Sequence, residues 1–245
     1  MTRLVRENHA GKRVPVVLGL ALVPGAALVG GVAAAGGPPL RASGVAFLVA
    51  WVGLGIVGLV DDLVGHGPRG LGGHLRSLVR GRPTTGILKL IAAAGAAAAI
   101  AALSGGGLAR TLAGTVLIAA CVNVWNALDV APGRCLKWGI VALGATLPAL
   151  WDLGVGRLSA GILASALLLL PFDLRERAML GDAGSNPLGL AVGVALFLAL
   201  PTGWVVAAAL VALLLQLAAE TVTISRLIGS APPLRWFDRL GRLPG

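Results

Sequence analysis

The chain has 245 residues, of which 57% are hydrophobic, 12% charged and none tyrosine, and its mean hydropathy is +0.90. That balance excludes a water-soluble domain and describes a chain that lives in a bilayer. A net charge of +10 would suggest nucleic acid on a soluble chain; here it speaks first of membrane topology, and no nucleic-acid partner is expected.

A spanning helix takes roughly 20 residues, so the length allows about eight crossings and leaves no room for a separate soluble domain. Apolar stretches fall near Val14–Ala35, Gly44–Val60, Ile87–Leu103, Thr111–Leu128, Trp138–Trp151, Leu158–Phe172, Pro187–Leu200 and Gly203–Ile224. They predict an all-α, polytopic membrane helical bundle of about eight transmembrane helices, forming one domain over residues 1–245. The shorter stretches are expected to tilt or to thin the bilayer. The first follows Arg3, Arg6, Lys12 and Arg13 and ends in Ala33-Ala34-Ala35, which mimics a signal peptide; we expect it to be retained as a span.

If the chain alternates sides, all of the 20 Lys and Arg except Arg41, Arg110 and Arg157 collect on one side. The positive-inside rule makes that side, with both termini, cytoplasmic. The acidic residues gather there too, Asp152 alone lying opposite. Longer loops carry more of every polar residue, but Asp61, Asp62, Asp129 and Glu220 fall at or inside span ends, where a carboxylate is costly and usually functional. The cysteines, Cys121 and Cys135, suggest neither a disulfide framework nor a metal pair. The histidines, His9, His66 and His74, show no ligand spacing.

Three polar clusters and a lysine interrupt the apolar pattern on the cytoplasmic side. Gly58-Leu59-Val60-Asp61-Asp62 ends the second stretch. Adjacent helical carboxylates point about 100° apart, so one can face a cation while the other faces a neighbouring helix. A carboxylate pair at a membrane surface suits Mg²⁺, which takes one or two carboxylates and leaves its other positions to water and phosphate. Lys89 opens the third stretch, where it either snorkels or meets phosphate. Asn123, Asn126 and Asp129 recur at intervals of three along one helix side. They form either a hydrogen-bonding surface for a nucleobase or sugar or an interhelical ladder. The third cluster, Asp173 to Pro187, ends in Gly181-Asp182-Ala183-Gly184-Ser185-Asn186-Pro187. It reads as a helix start with Ser185 or Asn186 as N-cap and Pro187 in the first turn, so that free N–H groups form an anion site beside Asp182.

In this order the clusters resemble the polyprenyl-phosphate N-acetylhexosamine-1-phosphate transferases, relatives of the phospho-N-acetylmuramoyl-pentapeptide transferase. Gly181-Asp182-Ala183-Gly184-Ser185 is the most specific match. The resemblance implies a Mg²⁺-dependent phosphotransferase in a bacterial inner membrane. It would move the sugar 1-phosphate of a UDP-N-acetyl sugar to polyprenyl (undecaprenyl) phosphate, releasing UMP, for cell-envelope glycan synthesis. It implies Asp61, Asp62 and Asp182 as catalytic and metal-binding residues, Lys89, Asn123, Asn126, Asp129, Gly184 and Ser185 as substrate-binding residues, and association of two copies, as is frequent in the family. The chain departs from the family pattern at Val130 and Pro132, lacks a histidine cluster in its tail, and falls short by one span at each end, so a compact variant is expected. An alternative is a polyprenyl-phosphate carrier-binding or transport protein that keeps the scaffold without the chemistry.

Overall fold

The computed structural model describes residues 4–8, 10–35, 37, 40–64, 70–82, 84–221 and 224–242. Among these, an antiparallel hairpin, β1 (Val5–Glu7) and β2 (Arg13–Pro15), precedes eleven helices. They are α1 (Leu18–Ala35), α2 (Ala42–Val64), α3 (Gly70–Val79), α4 (Thr85–Ser104), α5 (Gly107–Leu128), α6 (Arg134–Leu150), α7 (Gly154–Leu174), α8 (Asp182–Ala199), α9 (Thr202–Thr221), α10 (Ile224–Ser230) and α11 (Pro232–Arg239).

Each of the eight apolar stretches lies largely on a helix among the described residues, so the helical expectation holds. Six helices, α2, α4, α5, α7, α8 and α9, are long and apolar enough to cross a membrane. α1, with 18 residues, is as long as α8 and is apolar over Leu18–Val32, and α6 has 17 residues, fewer than the roughly 20 of an ordinary crossing. The chain is therefore a multi-pass membrane protein, with six helices of spanning length and hydropathy among the described residues. The first stretch is not helical throughout: Val14 and Pro15 lie in β2 and Val16 in a parallel bridge to Met179.

α8 is the central element. Within its apolar window 78% of residues are buried, against 17% for α9, which leaves α9 on the periphery with Trp204, Leu210, Leu214 and Leu217 facing outward. An outward apolar face is what lipid contact requires, since association inside a bilayer relies on close packing rather than on hiding apolar surface from water. That packing is supplied by small residues. Gly189 and Gly193 of α8 meet the backbone of α5 at Cys121–Val122 and Ile118, and Gly161 of α7 meets α1 at Ala26–Gly30.

The hairpin was not anticipated. Asn8 makes its turn by accepting hydrogen bonds at Oδ1 from the backbone N–H groups of Ala10 (2.9 Å) and Lys12 (3.0 Å), a short polar side chain standing in for backbone. Its amide donates to Glu176 Oε1 (2.9 Å), and Lys12 Nζ pairs with Glu176 Oε2 (2.6 Å). The hairpin is thereby fastened to the segment between α7 and α8. Met179 N–H donates to Pro15 O and Leu18 N–H to Met179 O, which fixes the chain just ahead of Asp182. His9, His66 and the side chain of Glu220 lie outside the described residues, whereas His74 Nδ1 lies 2.9 Å from Thr84 Oγ1, next to the start of α4.

A second polar assembly ties down the C-terminal segment. Arg134, the first residue of α6, makes a two-pronged pair with Asp238 of α11, Nε to Oδ1 at 2.7 Å and Nη2 to Oδ2 at 3.0 Å. Lys137 Nζ donates to the carbonyls of Phe237, Asp238 and Leu240, closing the end of α11. Burial works against the ionised Asp238, but the hydrogen bonds and charge of Arg134, with the charges of Arg242 and Lys137, hold its carboxyl below the ordinary value. The ionised form is thus favoured by folding. Its stabilisation is complete above the usual carboxylate range near pH 4 and is lost as pH falls through the lowered folded-state value. Asp238→Asn leaves Arg134 without its counter-ion, and we expect a loss on the order of 3 kcal/mol, measured as earlier thermal unfolding in detergent at neutral pH. The gap from wild type should close as the pH is lowered; a gap that does not change with pH would contradict the assignment.

Candidate functional site

At one end of the bundle, side chains from α2, α4, α5 and α8 meet. Lys89, in the second turn of α4, extends its ammonium between two carboxylates, 2.6 Å from Asp182 Oδ2 and 3.3 Å from Asp61 Oδ2. Asp61 also accepts a short hydrogen bond from Thr85 Oγ1. Asn126 donates to Asp182 Oδ1 (2.6 Å), and its Nδ2 lies 3.2 Å from Ser185 Oγ. Asp61, Lys89, Asn126 and Asp182, all selected from the sequence, therefore share one partly exposed cluster.

Asp62 does something different from Asp61. Its Oδ1 accepts from the backbone N–H of Asp182 (3.1 Å) and its Oδ2 from that of Ala183 (3.0 Å), so a side chain of α2 caps α8. Asp129, just past α5, accepts the N–H of Gly181 at Oδ2 (2.8 Å). Three successive N–H groups are held by carboxylates from two other helices, an arrangement that also complements the positive end of the α8 dipole. Gly181 is required there. Its φ is +69°, and a Cβ would stand 2.7 Å from Asp62 Oδ2. Burial, with the Asp173 charge nearby, pushes the Asp129 carboxyl well above its ordinary value, the Gly181 N–H opposing the shift.

These contacts correct the expected helix start. α8 begins at Asp182 rather than after Ser185, and Pro187 lies inside it. Ser185 and Asn186 are fully buried in its second turn. The anion cradle expected there is already filled: Asp62 and Asp129 take the first N–H groups, and those of Gly184 and Ser185 donate to Gly181 O. Gly184 packs against Gly19 of α1, so it serves helix contact, and Asn123 Nδ2 turns back to Ala119 O (3.3 Å) in its own helix. Neither meets the cluster.

Sequence reasoning missed Thr85 and Arg6. Thr84 caps α4 by accepting from Ile87 N–H, and a Thr-Thr helix start was a usable signal for its neighbour. Arg6 donates to the carbonyl oxygens of Asp61 (3.4 Å) and Asp62 (3.1 Å), placing a cation at the negative end of α2; the basic N-terminus had been read as topology alone.

Among the described residues, no three His, Cys, Asp or Glu are grouped to hold a metal. Asp61 and Asp182 already share one cation, Lys89, and each of their oxygens has a second acceptor site to offer. The donor set therefore fits Mg²⁺ held by one or two carboxylates and completed by phosphate and water, with Asp62 engaged elsewhere. Beside Ala183 an apolar groove of about 130 Å³ opens between α1 and α2, lined by Leu20, Val23, Ile56 and Leu59. Comparison with known proteins finds no family model that matches the chain and no curated protein that matches it.

Proposed function

We propose that the cluster is the active site of a UDP-sugar:polyprenyl-phosphate sugar-1-phosphate transferase. The observation that carries the reading is the convergence of Asp61, Lys89, Asn126 and Asp182 from four helices at one end of a membrane bundle. Transfer of a phosphoryl group between two anions needs positioning and charge neutralisation more than covalent chemistry, and this cluster holds both signs of charge at the bundle end. Lys89 would hold a phosphate, Asp61 and Asp182 would hold Mg²⁺, and Asn126 would orient Asp182. Bound Mg²⁺ would supply neutralisation of diphosphate charge. The groove beside Ala183 offers the first isoprene units of the acceptor an apolar path from the phosphate into the bilayer.

The test is UMP release from a panel of UDP-N-acetyl sugars with undecaprenyl phosphate, with and without Mg²⁺. We expect turnover with at least one sugar and none with the metal chelated. Lipid binding without Mg²⁺ and no turnover across the panel would favour the carrier-binding alternative, which has its own support in Lys89 already standing between Asp61 and Asp182 as a cation.

Under this reading α1 and α6 complete eight crossings, both termini are cytoplasmic, and the cluster faces the cytoplasm of a bacterial inner membrane. Cys121 and Cys135 are buried, so cysteines introduced at Ser43 and Ser230 can be labelled selectively. An impermeant thiol reagent outside intact cells should modify the Ser43 position and spare that of Ser230; the reverse pattern would invert the topology.

A further inference from the structure

The last helix carries a surface that neither the transferase cluster nor the bundle core uses. One face of α11 is fixed: Asp238 is held by Arg134, the Phe237 ring packs tilted against that of Trp138 with centroids 4.7 Å apart, and Lys137 closes the helix end. The opposite face carries Pro232, Arg235, Trp236, Arg239 and Leu240 around an open depression of about 380 Å³. Trp236 is 66% exposed and Leu240 49%, an unusual exposure for large apolar side chains on a helix gripped so firmly from behind. Arg235 and Arg239 stand one helical turn apart and form no ion pair among the described residues.

An indole and a leucine flanked by unpaired guanidinium groups make a surface for the boundary between headgroups and acyl chains, the apolar side chains entering the boundary and the arginines meeting phosphate. The position on the molecule agrees. α11 rests on the first turn of α6, at the bundle end that also carries Arg134, Lys137 and Arg242, and is joined through the short α10 to α9, whose apolar face is turned outward. We propose that α11 is an interfacial anchor that docks on the anionic phospholipid of the adjacent leaflet, with Trp236 and Leu240 inserted and Arg235 and Arg239 bound to headgroup phosphate. This holds whether or not the cluster is a transferase.

The protein is placed in nanodiscs of equal parts phosphatidylcholine and phosphatidylglycerol, with bromine on the acyl chains of one lipid or the other. Six tryptophans are present, so the signal is the fluorescence difference between wild type and Trp236→Phe. Brominated phosphatidylglycerol should quench it more strongly than brominated phosphatidylcholine. At about fivefold per arginine near an anionic surface, the variant Arg235→Gln/Arg239→Gln should lose roughly 25-fold of that preference. Both side chains are exposed and unpaired, so the fold should stand, as an unchanged thermal transition would verify. Absence of quenching by either lipid would show that the face meets water or a soluble partner. Equal quenching, or a preference that survives in the double variant, would remove the arginines from the interaction. Any of these results overturns the proposal, and none depends on turnover.

Discussion

Asp182→Asn is expected to reduce UMP release by roughly 10²- to 10³-fold, the range for removing one preorganised charge-stabilising group. Both oxygens of Asp182 face donors, Oδ1 the Asn126 amide and Oδ2 the Lys89 ammonium, each at 2.6 Å. An asparagine offers one acceptor and one donor in that space, so whichever way it turns, its NH₂ opposes a donor. Where that NH₂ faces Lys89, the ammonium keeps only the longer contact to Asp61; in either orientation the charge best placed to share a divalent ion is lost. The fold should suffer less than the chemistry, because α8 is capped through the backbone N–H of residue 182, which the substitution retains. The informative readout is therefore turnover set against thermal stability. Wild-type turnover in Asp182→Asn would remove the cluster from the reaction, whereas equal collapse of both would make it a structural network.

The cluster was legible in the sequence to an uneven degree, and the unevenness has a physical basis. Asp61, Lys89 and Asn126 stand out because a polar side chain at the end of an apolar helix needs a partner, and each breaks an otherwise apolar run; Asp182 stands out within the Gly181–Ser185 run. Which of the paired aspartates faces the cluster was not legible. Adjacent helical side chains must diverge, but only the position of α8 decides that Asp62 becomes its cap. The same fact explains the misplaced start of α8. Local rules look for the cap within the sequence, at Ser185 or Asn186, whereas here it comes from another helix. The hairpin escaped notice because each strand has three residues, too few for alternation to register, and because its partners at Glu176 and Met179 are remote in the chain. The start of the first helix suffered from the reverse problem: hydropathy reports that a segment is apolar without reporting that Val14–Val16 is extended.

Gly58→Ala should be the most damaging small substitution in α2. A Cβ at residue 58 would collide with the carbonyl of Asp182 and stand 2.7 Å from the Ala183 nitrogen. These are backbone atoms of the first turn of α8, with no rotamer by which to retreat. The helices must separate, at a cost of about 1–3 kcal/mol for an overpacked contact. Asp62 lies one turn further along the same face of α2, so the separation also draws its carboxylate away from the two N–H groups it caps and tilts Asp182 out of reach of Lys89 and Asn126. Activity should therefore fall more steeply than stability, since hydrogen bonds of 2.6 Å tolerate little displacement. Gly53→Ala is the control. It lies in the same helix with nothing within 4 Å of its added methyl, so it should leave turnover unchanged and, through helix propensity, favour folding by up to about 1 kcal/mol. If Gly58→Ala behaved as Gly53→Ala does, the close crossing of α2 and α8 could not be what aims the cluster.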